Sequence, residues 1–415
     1  MVSICIADAS SGWRRAPNGR RPSGAPRKAG GADRRAPTEF IKDGFGGSLT
    51  NTMLRRLICN PAMLWSAARR RLRDALPLDA WLGNGRAWLP SRLSIDLTYA
   101  CNAECEACCQ RGKDAHFEPR PPDRERMLEP GALAAVIGEA RAWRPTVYLT
   151  GGEPLLHPDL ERIIGGIKAA GLYCSLNTNG SLLSERAAEL CAAGVDKVIV
   201  SVEPSEGAQA ANRGIPFAAI RAGLAALREC KPAPEIALNC VITPRNWREL
   251  DSLAGSAAAL GASNVALQHF MFSSRALIAA HRAMLADFGE TDACYGNTTM
   301  DSGEIDAAAV WQSLMRLRAS GLKFRVDPPV PEKRLRDYYS SPESRLPGLC
   351  LAPWTTATVM PDGGISLCRP LNIGMAGRDR LRTAWNGEKA LRFRRALLRQ
   401  GQLPGCARCC SRRFS

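Results

Sequence analysis

Four cysteines within thirteen residues constrain this chain more than any other feature of its sequence. The segment ACNAECEACCQRG, residues 100–112, holds Cys101, Cys105, Cys108 and Cys109. Such a crowd of thiols serves a disulfide, a zinc site or an iron-sulfur cluster. The chain has 16 cysteines among its 415 residues, and a second group lies near the C-terminus, so the same three alternatives apply twice.

The rest of the sequence indicates in which compartment of the cell the protein is expected. No run approaches eighteen consecutive apolar residues, and the N-terminus lacks a basic segment followed by an apolar stretch. Neither a membrane span nor a signal peptide is therefore predicted. We expect a cytoplasmic protein, and in a reducing cytosol clustered cysteines are more often metal ligands or catalytic groups than disulfides.

The formal charge of +16 is concentrated near the N-terminus. Residues 1–92 hold 17 Lys and Arg against 6 Asp and Glu, a net +11, which leaves +5 for the other 323 residues. The predicted strands also lack the interleaved basic and aromatic residues of a nucleic-acid-binding face. A zinc-containing nucleic-acid-binding protein is the alternative from a different class, and the charge placement argues against it.

The N-terminal part divides into two segments. Residues 1–52 are rich in Arg, Pro, Gly and Ala without apolar periodicity, which predicts a disordered basic extension and makes Met53 a candidate start. Residues 53–91 form a predicted helical segment. Its part 53–76 carries Arg on one side and Leu, Trp and Met on the other, which would suit peripheral contact with an anionic membrane or a partner. A helix packed on the domain with solvated arginines is the favoured interpretation.

From residue 92 onward, apolar strands alternate with helices. The predicted strands are RLSIDLT (92–98), TVYLT (146–150), YCSLNTN (173–179), KVIVSVE (197–203), EIALNCVI (235–242) and NVALQHF (264–270). This rhythm predicts an α/β fold, a partial (β/α)6 TIM-like barrel over residues 92–275, because six units are fewer than the eight of a closed barrel. An open doubly wound sheet is the alternative. Residues 276–345 are predicted as a connecting segment with one helix and a possible strand at KFRVD.

The first cysteine group directly follows the first strand. Cys101, Cys105 and Cys108 stand in CxxxCxxC spacing, and the carboxyl ends of barrel strands are where functional loops collect. Three thiolates suit three corners of a [4Fe-4S] cubane and leave the fourth iron open to a small molecule. Zinc usually takes four ligands from CxxC pairs, and the only histidine nearby is His116. Cys109 is interpreted as an incidental neighbour.

These residues resemble the radical S-adenosylmethionine (radical SAM) superfamily. The resemblance continues with GGEP after the second strand, LNTNG at the third, VSVEP at the fourth and the Arg-Gly pair of RGIPFAAI, and it covers about three quarters of the chain. It implies a [4Fe-4S] cluster held by the three cysteines and by S-adenosylmethionine. By family position, the cofactor-binding residues would be Gly151, Gly152, Glu153 and Pro154 at the methionine end, Thr178, Asn179 and Ser201 beside the ribose and methionine, and Arg213 at the carboxylate.

Two physical points accompany the resemblance. Glycines let backbone groups approach the amino group of the ligand, which Glu153 would fix by a charge-assisted hydrogen bond. The chain departs from the family at Ala107, where members usually have an aromatic or bulky residue, so the resemblance does not imply a stacking contact with the adenine at this position.

The second cysteine group resembles the SPASM or twitch auxiliary-cluster region. Within residues 346–415, MPDGGISLC predicts a hairpin that presents one cysteine. Five cysteines indicate one auxiliary [4Fe-4S] cluster rather than two, with Cys410 spare. A zinc ribbon built from the same thiols is the alternative. The predicted ligands are Cys350, Cys368, Cys406 and Cys409.

The resemblance implies a reaction as well. The reduced cluster would cleave S-adenosylmethionine to a 5'-deoxyadenosyl radical that abstracts hydrogen from a peptide, protein or small-molecule substrate. An electron donor such as flavodoxin or ferredoxin would be the partner, and the auxiliary cluster would assist electron transfer. A non-catalytic iron-sulfur scaffold is the remaining alternative. The presence of the GGEP motif, which the resemblance links to binding of S-adenosylmethionine, argues against it.

The remaining histidines and cysteines have simpler interpretations. His157 and His269 are expected to be structural. The cysteines without an assigned role are expected to act as small buried hydrophobic residues; they are Cys5, Cys59, Cys174, Cys191, Cys230, Cys240 and Cys294.

Overall fold

The computed structural model of the chain describes residues 78–108, 110, 123–290, 298–299, 304–369 and 371–414. The expectations for residues 1–52 and 53–77, including membrane or partner contact by 53–76, lie outside these residues. The same holds for the expectations for Cys5, Cys59, Cys109, His116 and Cys294.

Ten strands form a single sheet around which the chain is built. The strands of the described residues are β1 (Arg92–Asp96), β2 (Thr146–Thr150), β3 (Tyr173–Thr178), β4 (Lys197–Ser201), β5 (Glu235–Ile242), β6 (Val265–His269), β7 (Phe272–Ser273), β8 (Thr298–Thr299), β9 (Phe324–Asp327), β10 (Gly348–Cys350), β11 (Thr356–Val359), β12 (Gly364–Cys368), β13 (Leu371–Met375) and β14 (Arg412–Phe414). The order in the ten-stranded sheet is β13-β12-β11-β1-β2-β3-β4-β5-β6-β9. Two short pairs, β7 with β8 and β10 with β14, lie outside it.

The helices connect the strands and begin and end where the local sequence dictates. Ser205 and Ser274 accept a backbone hydrogen bond at the start of a helix, and Gly194 ends another in the left-handed conformation. None of the helices in the described part of the chain is long and apolar enough to cross a membrane. The helices are α1 (Leu78–Leu82), α2 (Pro130–Ala140), α3 (Leu160–Ala169), α4 (Leu183–Ala193), α5 (Glu206–Arg213), α6 (Phe217–Glu229), α7 (Leu253–Ala259), α8 (Arg275–Ala286), α9 (Ala307–Ala319), α10 (Glu332–Ser340), α11 (Ala352–Thr355), α12 (Leu381–Trp385) and α13 (Glu388–Gln400).

The strand order decides between the two predicted topologies. Strands β1 to β6 are parallel, and each pairs with the next in sequence. A doubly wound sheet would reverse direction at a switch point, whereas a barrel winds one way. The partial barrel is therefore confirmed. Crossovers between neighbouring parallel strands are nearly always right-handed, so the connecting helices are expected on one face of the sheet, where they cover the alternating apolar residues of the strands.

The tail extends the same sheet, which the expectation of a small C-terminal domain did not include. Strand β11 pairs in parallel with β1 on the edge opposite β6, and β12 returns antiparallel to β11. The predicted hairpin at MPDGGISLC is confirmed, with Met360–Gly363 as its turn. The KFRVD strand is also confirmed, as β9 pairs in parallel with β6. The sheet thus joins both cysteine regions through β1 and β11.

Two of the unassigned cysteines correct an expectation. Cys191 and Cys230 form a disulfide with Cα atoms 6.2 Å apart, so they do not act as separate buried hydrophobic residues. The reason is helix packing: α4 and α6 lie side by side, which brings the ends of the two helices together. Cys174 and Cys240 are fully buried in β3 and β5, as expected.

Candidate active site

The first cysteine loop is held by backbone pairing with the turn after β2. The amide of Gly152 donates to the Thr98 carbonyl at 2.6 Å, and the amide of Glu153 donates to the Ala100 carbonyl at 2.7 Å. These two hydrogen bonds therefore fix the residues that lie between β1 and Cys101. This pairing places CxxxCxxC and GGEP side by side at the carboxyl ends of neighbouring strands.

The two glycines of GGEP are required by that pairing. Gly151 has a φ of +133°, and a Cβ at this position would lie 2.5 Å from the Thr98 oxygen. A Cβ at Gly152 would lie 2.0 Å from the Ala100 oxygen. No side chain fits at such distances. The structure thus gives the glycines a role that the sequence did not suggest, which is to let the cysteine loop approach the turn.

Glu153 is a fully buried carboxylate that joins two strand ends. Its oxygens accept hydrogen bonds from the Thr178 hydroxyl at 2.7 Å, the Asn179 amide at 2.7 Å and the Leu155 amide at 3.0 Å. Burial raises the pKa of Glu153 to about 7, although the three donors oppose the rise. Glu153 therefore braces the turn after β2 against the end of β3, and Pro154 begins the short 3-10 helix that follows.

An asparagine pair connects the third strand end to the cysteine loop. The side chain of Asn179 donates to the Asn102 oxygen at 2.8 Å, and Asn102 donates to the Ser181 hydroxyl at 3.0 Å. Sequence reasoning did not single out Asn102. Its place directly after Cys101, in a loop that must be held by its neighbours, was the available signal. The three strand-end loops form one hydrogen-bonded unit.

The inner face of the barrel carries a polar layer. Leu93 on β1, Val147 on β2 and the apolar residues at matching positions of the other strands face the helices. The residues that alternate with them along each strand therefore face the inside of the barrel. At five inward positions a polar side chain that is at most 1% exposed has one or more N or O atoms without a hydrogen-bond partner among the described residues. These are Asp96, Thr150, Ser201, Asn239 and Gln268.

The polar side chains of this layer indicate which kind of molecule the site can bind. Unpartnered buried polar atoms cost stability, so proteins usually retain them where a ligand or water engages them. Ser201, the residue expected beside the ribose, belongs to the layer. The site above β1 to β6 therefore suits a polar ligand such as S-adenosylmethionine.

Arg213 is held by a carboxylate that the sequence reasoning quoted but did not assign. Its Nε lies 2.7 Å from Glu203 Oε1, and both side chains are more than nine-tenths buried. Asn246 donates to the other Glu203 oxygen at 2.6 Å. Glu203 and the nearby Cys105 raise the pKa of Arg213 against the opposing effect of burial. The guanidinium is thus a permanent charge fixed near the first cysteine loop.

The three thiols of the first group lie on one short turn. The Cys108 amide donates to the Cys105 carbonyl at 3.0 Å, and Cys108 is buried while the other two are partly exposed. Burial raises the pKa of Cys101. A thiol with a raised pKa becomes a thiolate only when a metal or a cation holds it. A donor set of thiols alone, with soft sulfur ligands, fits an iron-sulfur cluster.

Three thiols of the second group interact with one buried arginine. Cys350, Cys406 and Cys409 all interact electrostatically with Arg412, whose own pKa is lowered by burial. Arg412 also donates to the Leu346 and Gly348 carbonyls, both at 3.0 Å. Burial raises the pKa of Cys406 to about 12. The sequence did not single out Arg412.

The fourth predicted ligand of this group, Cys368, ends β12 and is partly exposed. In the residues that the structure describes, no three His, Cys, Asp or Glu side chains converge as a site for one metal ion. A cubane cluster holds its thiolates farther apart than a single ion does, so this finding concerns single-ion sites. The all-thiol donor set of the tail also fits a cluster.

A second buried arginine anchors the cysteine tail. Arg408 donates to the backbone carbonyls of five residues, and its guanidinium lies 5.4 Å from the centre of the Tyr338 ring. Its burial lowers its pKa to about 10. The carbonyls belong to Asp337, Tyr338, Ser341, Ser344 and Ala407.

Both singled-out histidines have protein partners. His157 lies 3.1 Å from the Leu128 oxygen and accepts the Asp159 amide. His269 lies 2.6 Å from the Tyr339 hydroxyl, and burial lowers its pKa to about 3. Both are buried within the fold, in agreement with a structural role.

Two family models match the chain in the regions just described. The radical SAM superfamily matches residues 95–256, and an iron-sulfur cluster-binding domain, SPASM, matches residues 350–410. The chain belongs to the radical SAM superfamily. It carries a C-terminal SPASM domain, and the superfamily consists of enzymes.

Sequence relatives within this superfamily include GTP 3',8-cyclases. The probable enzyme of Sulfurisphaera tokodaii is 33% identical over 42% of this chain and 54% of its own length. That of Aquifex aeolicus is 37% identical over 30% of this chain and 39% of its own length. The chain therefore spans about half or less of these two relatives.

Solved structures of radical SAM enzymes share the fold. Streptococcus suis SuiB has a TM-score of 0.54 at 13% identity, covering 82% of this chain and 77% of that protein. The enzyme anSMEcpe with bound AdoMet has a TM-score of 0.52 at 14% identity, covering 73% and 82%. At these identities the likeness concerns the fold alone.

Proposed function

We propose that this enzyme reductively cleaves S-adenosylmethionine and uses the product to abstract hydrogen from a peptide or protein substrate. The observation that carries the proposal is the hydrogen-bonded unit of three strand-end loops, in which the GGEP turn fixes the cysteine loop. Cys101, Cys105 and Cys108 would hold the first [4Fe-4S] cluster. A bound cluster would supply the single electron needed for reductive cleavage of the carbon-sulfur bond of S-adenosylmethionine, with methionine and a 5'-deoxyadenosyl radical as the products.

The residues of the chain would bind and orient the cofactor. Ser201 would offer its buried hydroxyl, which has no hydrogen-bond partner in the part of the chain that the structure describes, to the ribose. Arg213 is held through its Nε by Glu203, which leaves its terminal nitrogens for the carboxylate. Gly151 and Gly152 bring the turn against the loop, and Glu153, Thr178 and Asn179 brace it.

The tail would hold one auxiliary [4Fe-4S] cluster through Cys350, Cys368, Cys406 and Cys409. Three of these thiols share the cationic neighbour Arg412, which favours their thiolate forms. The auxiliary cluster would take up an electron during the reaction. The donor for the first cluster would be a flavodoxin or a ferredoxin, and the reaction would take place in the cytoplasm.

Two observations favour a peptide over a nucleotide as the substrate. The fold is that of SuiB, which has been solved with a precursor peptide, at a TM-score of 0.53. In addition, Arg369 already pairs with the buried carboxylate of Asp96 at the carboxyl end of β1, so its charge is engaged. A triphosphate would need such a cation for itself.

The sequence relatives favour a second candidate function, cyclisation of GTP. The test is direct: reconstituted enzyme is incubated anaerobically with S-adenosylmethionine, dithionite and GTP. We expect GTP to be recovered unchanged by chromatography. Conversion of GTP together with formation of 5'-deoxyadenosine would replace the peptide proposal.

Metal and product analysis tests the main proposal. After anaerobic reconstitution, we expect about eight irons per chain, since each cubane holds four. Reduction in the presence of S-adenosylmethionine should yield 5'-deoxyadenosine and methionine. The Cys101→Ala, Cys105→Ala and Cys108→Ala triple variant should retain about four irons and form no 5'-deoxyadenosine. Zinc in place of iron, or iron without product, would contradict the proposal.

A further inference from the structure

A buried carboxylate of the barrel makes an ion pair with the residue that follows a predicted auxiliary-cluster ligand. Asp96 ends β1 on the inner face and is fully buried. Arg369, directly after Cys368, donates from its Nη2 to Asp96 Oδ2. The two residues are 273 positions apart in sequence. The pair therefore joins the carboxyl end of β1 to the residue directly after β12.

The two residues belong to neighbouring parts of one sheet. Strand β11 pairs in parallel with β1, and β12 runs antiparallel to β11, so the end of β12 lies level with the start of β1, and the contact with Asp96 is made by the long Arg369 side chain. The register places Asp96 opposite Thr150 on β2. The second Asp96 oxygen and the Thr150 hydroxyl have no hydrogen-bond partner in the described ranges, so both belong to the polar layer where the substrate would bind.

We infer that Asp96 and Arg369 form an electrostatic link that sets the reduction potential of the auxiliary cluster and couples it to the polar layer. This inference rests on the proposed function, because it requires a cluster at Cys368. The reduction potential of an iron-sulfur cluster depends on the charge and hydrogen bonds around it. A buried ion pair is only weakly screened, so removing one member leaves an uncompensated charge beside the cluster.

The sign of the effect follows from electrostatics. Reduction adds a negative charge to the cluster, so a nearby positive charge favours the reduced form and a negative charge opposes it. Asp96→Asn removes the negative member and should shift the potential of the auxiliary cluster upward. Arg369→Gln removes the positive member and should shift it downward. The double variant restores neutrality and should lie between the two, close to the wild type.

The experiment is a redox titration of the reconstituted full-length holoenzyme followed by electron paramagnetic resonance. The signal that changes when S-adenosylmethionine is added belongs to the first cluster, and the signal that does not belongs to the auxiliary cluster. Lys197→Gln and Glu235→Gln serve as matched controls. These two residues form an ion pair of 3.0 Å on the inner face at the amino ends of β4 and β5, whereas Asp96 lies at the carboxyl end of β1. Neither control should shift the auxiliary signal.

The possible results separate the inference from the proposed function. Opposite shifts in the two single variants support the link. If the auxiliary cluster is fully loaded and both single variants keep the wild-type potential, or both shift it in the same direction, the link is wrong while the proposed function stands. A wild-type protein without a second cluster overturns the proposed function and the link with it. Asp96→Glu keeps the charge and should retain the wild-type potential, so it is the conservative control. If Asp96→Asn does not fold, Arg369→Gln carries the test: a downward shift supports the link, and an unchanged or raised potential overturns it.

Discussion

The two cysteine regions have the same ligand chemistry and are held in opposite ways. The first loop is placed by close backbone contacts and by a buried carboxylate, Glu153, that receives three hydrogen bonds. The tail is placed by the buried cations Arg408 and Arg412, which donate to backbone carbonyls. In the first region the backbone amides are satisfied by acceptors, and in the tail the backbone carbonyls are satisfied by donors.

The difference reflects where each region lies in the sheet. The first loop follows a central strand, so two neighbouring strand ends are available to pair with it. The tail follows α13 and lies against the end of α10 and the irregular backbone after it, and its last residues pair with the short strand β10. Long arginine side chains can reach several carbonyls at once in such irregular backbone. Each region therefore has its own most sensitive residue.

The largest effect is expected for Gly152→Ala, which attacks the backbone contact of the first loop. The added Cβ would lie 2.0 Å from the Ala100 oxygen, so the loop must move. We expect at least a hundredfold loss of 5'-deoxyadenosine formation and iron content reduced to about four per chain, that of the auxiliary cluster. Product is measured by chromatography and iron by chelation.

Gly165→Ala is the matched control for this prediction. Gly165 lies in α3, and nothing is found within 4 Å of an added Cβ. Alanine in a helix should raise stability by about 0.5–1 kcal/mol, with cluster content unchanged. An active, fully loaded Gly152→Ala enzyme would show that the backbone contact does not hold the loop.

Arg408→Met tests the tail in the same way and should have the next largest effect. The substitution removes the Arg408 donor from five backbone carbonyls, and two of these hydrogen bonds are buried, which should cost at least about 3 kcal/mol locally. We expect loss of the auxiliary cluster with the first cluster and its cleavage of S-adenosylmethionine preserved. The measurements are iron content, the SAM-insensitive resonance signal and 5'-deoxyadenosine yield.

The exposed Arg399 in the last turn of α13 provides the control. Arg399→Met should leave both clusters intact. If Arg408→Met instead removes the first cluster as well, the two regions are not independent, and the comparison drawn above fails.

The sequence predicted the parts of the fold that depend on local patterns. The six core strands and the hairpin follow from apolar runs and turn residues, and the cysteine loops follow from their spacing. The pairing of β11 with β1, and with it the contact of Arg369 with Asp96, joins residues far apart in sequence, which no local pattern records. The disulfide between Cys191 and Cys230 was missed for the same reason.

The site shows the same division. The glycines and Glu153 were found by their motif, but their contacts with the cysteine loop depend on how two strand ends meet. Asn102, Glu203 and Arg412 carry no motif of their own, because each acts through a neighbour brought to it by the fold.

Glu153→Gln should have a smaller effect that depends on pH. The folded pKa of about 7 lies above the ordinary value of 4.5, so the folded protein holds a proton that the unfolded chain releases. Stability from this group is complete below about pH 4.5 and is lost as the pH rises through 7. The loss is on the order of 3 kcal/mol. The glutamine cannot titrate, so its stability should not decline over this range.

The measurement is the melting temperature of both proteins at pH 5.5 and at pH 7.5. The difference between Glu153→Gln and the wild type should grow in favour of the variant as the pH rises. Glu161→Gln, at a partly exposed ion pair with Arg186 on the outer face, should show no such growth. A difference that is independent of pH would mean that Glu153 is ionised at every pH tested.

The smallest effect is expected for Glu106→Gln, within the first loop itself. Glu106 pairs with Arg245, and their side chains remain 40% and 60% exposed. Water and salt screen such a pair, so its loss should cost about 0.5 kcal/mol or less. We expect unchanged iron content and a melting temperature within a degree or two of the wild type. A large loss of iron would mean that a surface ion pair, rather than the buried contacts of Gly152 and Glu153, fixes the cysteine loop, and the two regions would then both depend on an arginine.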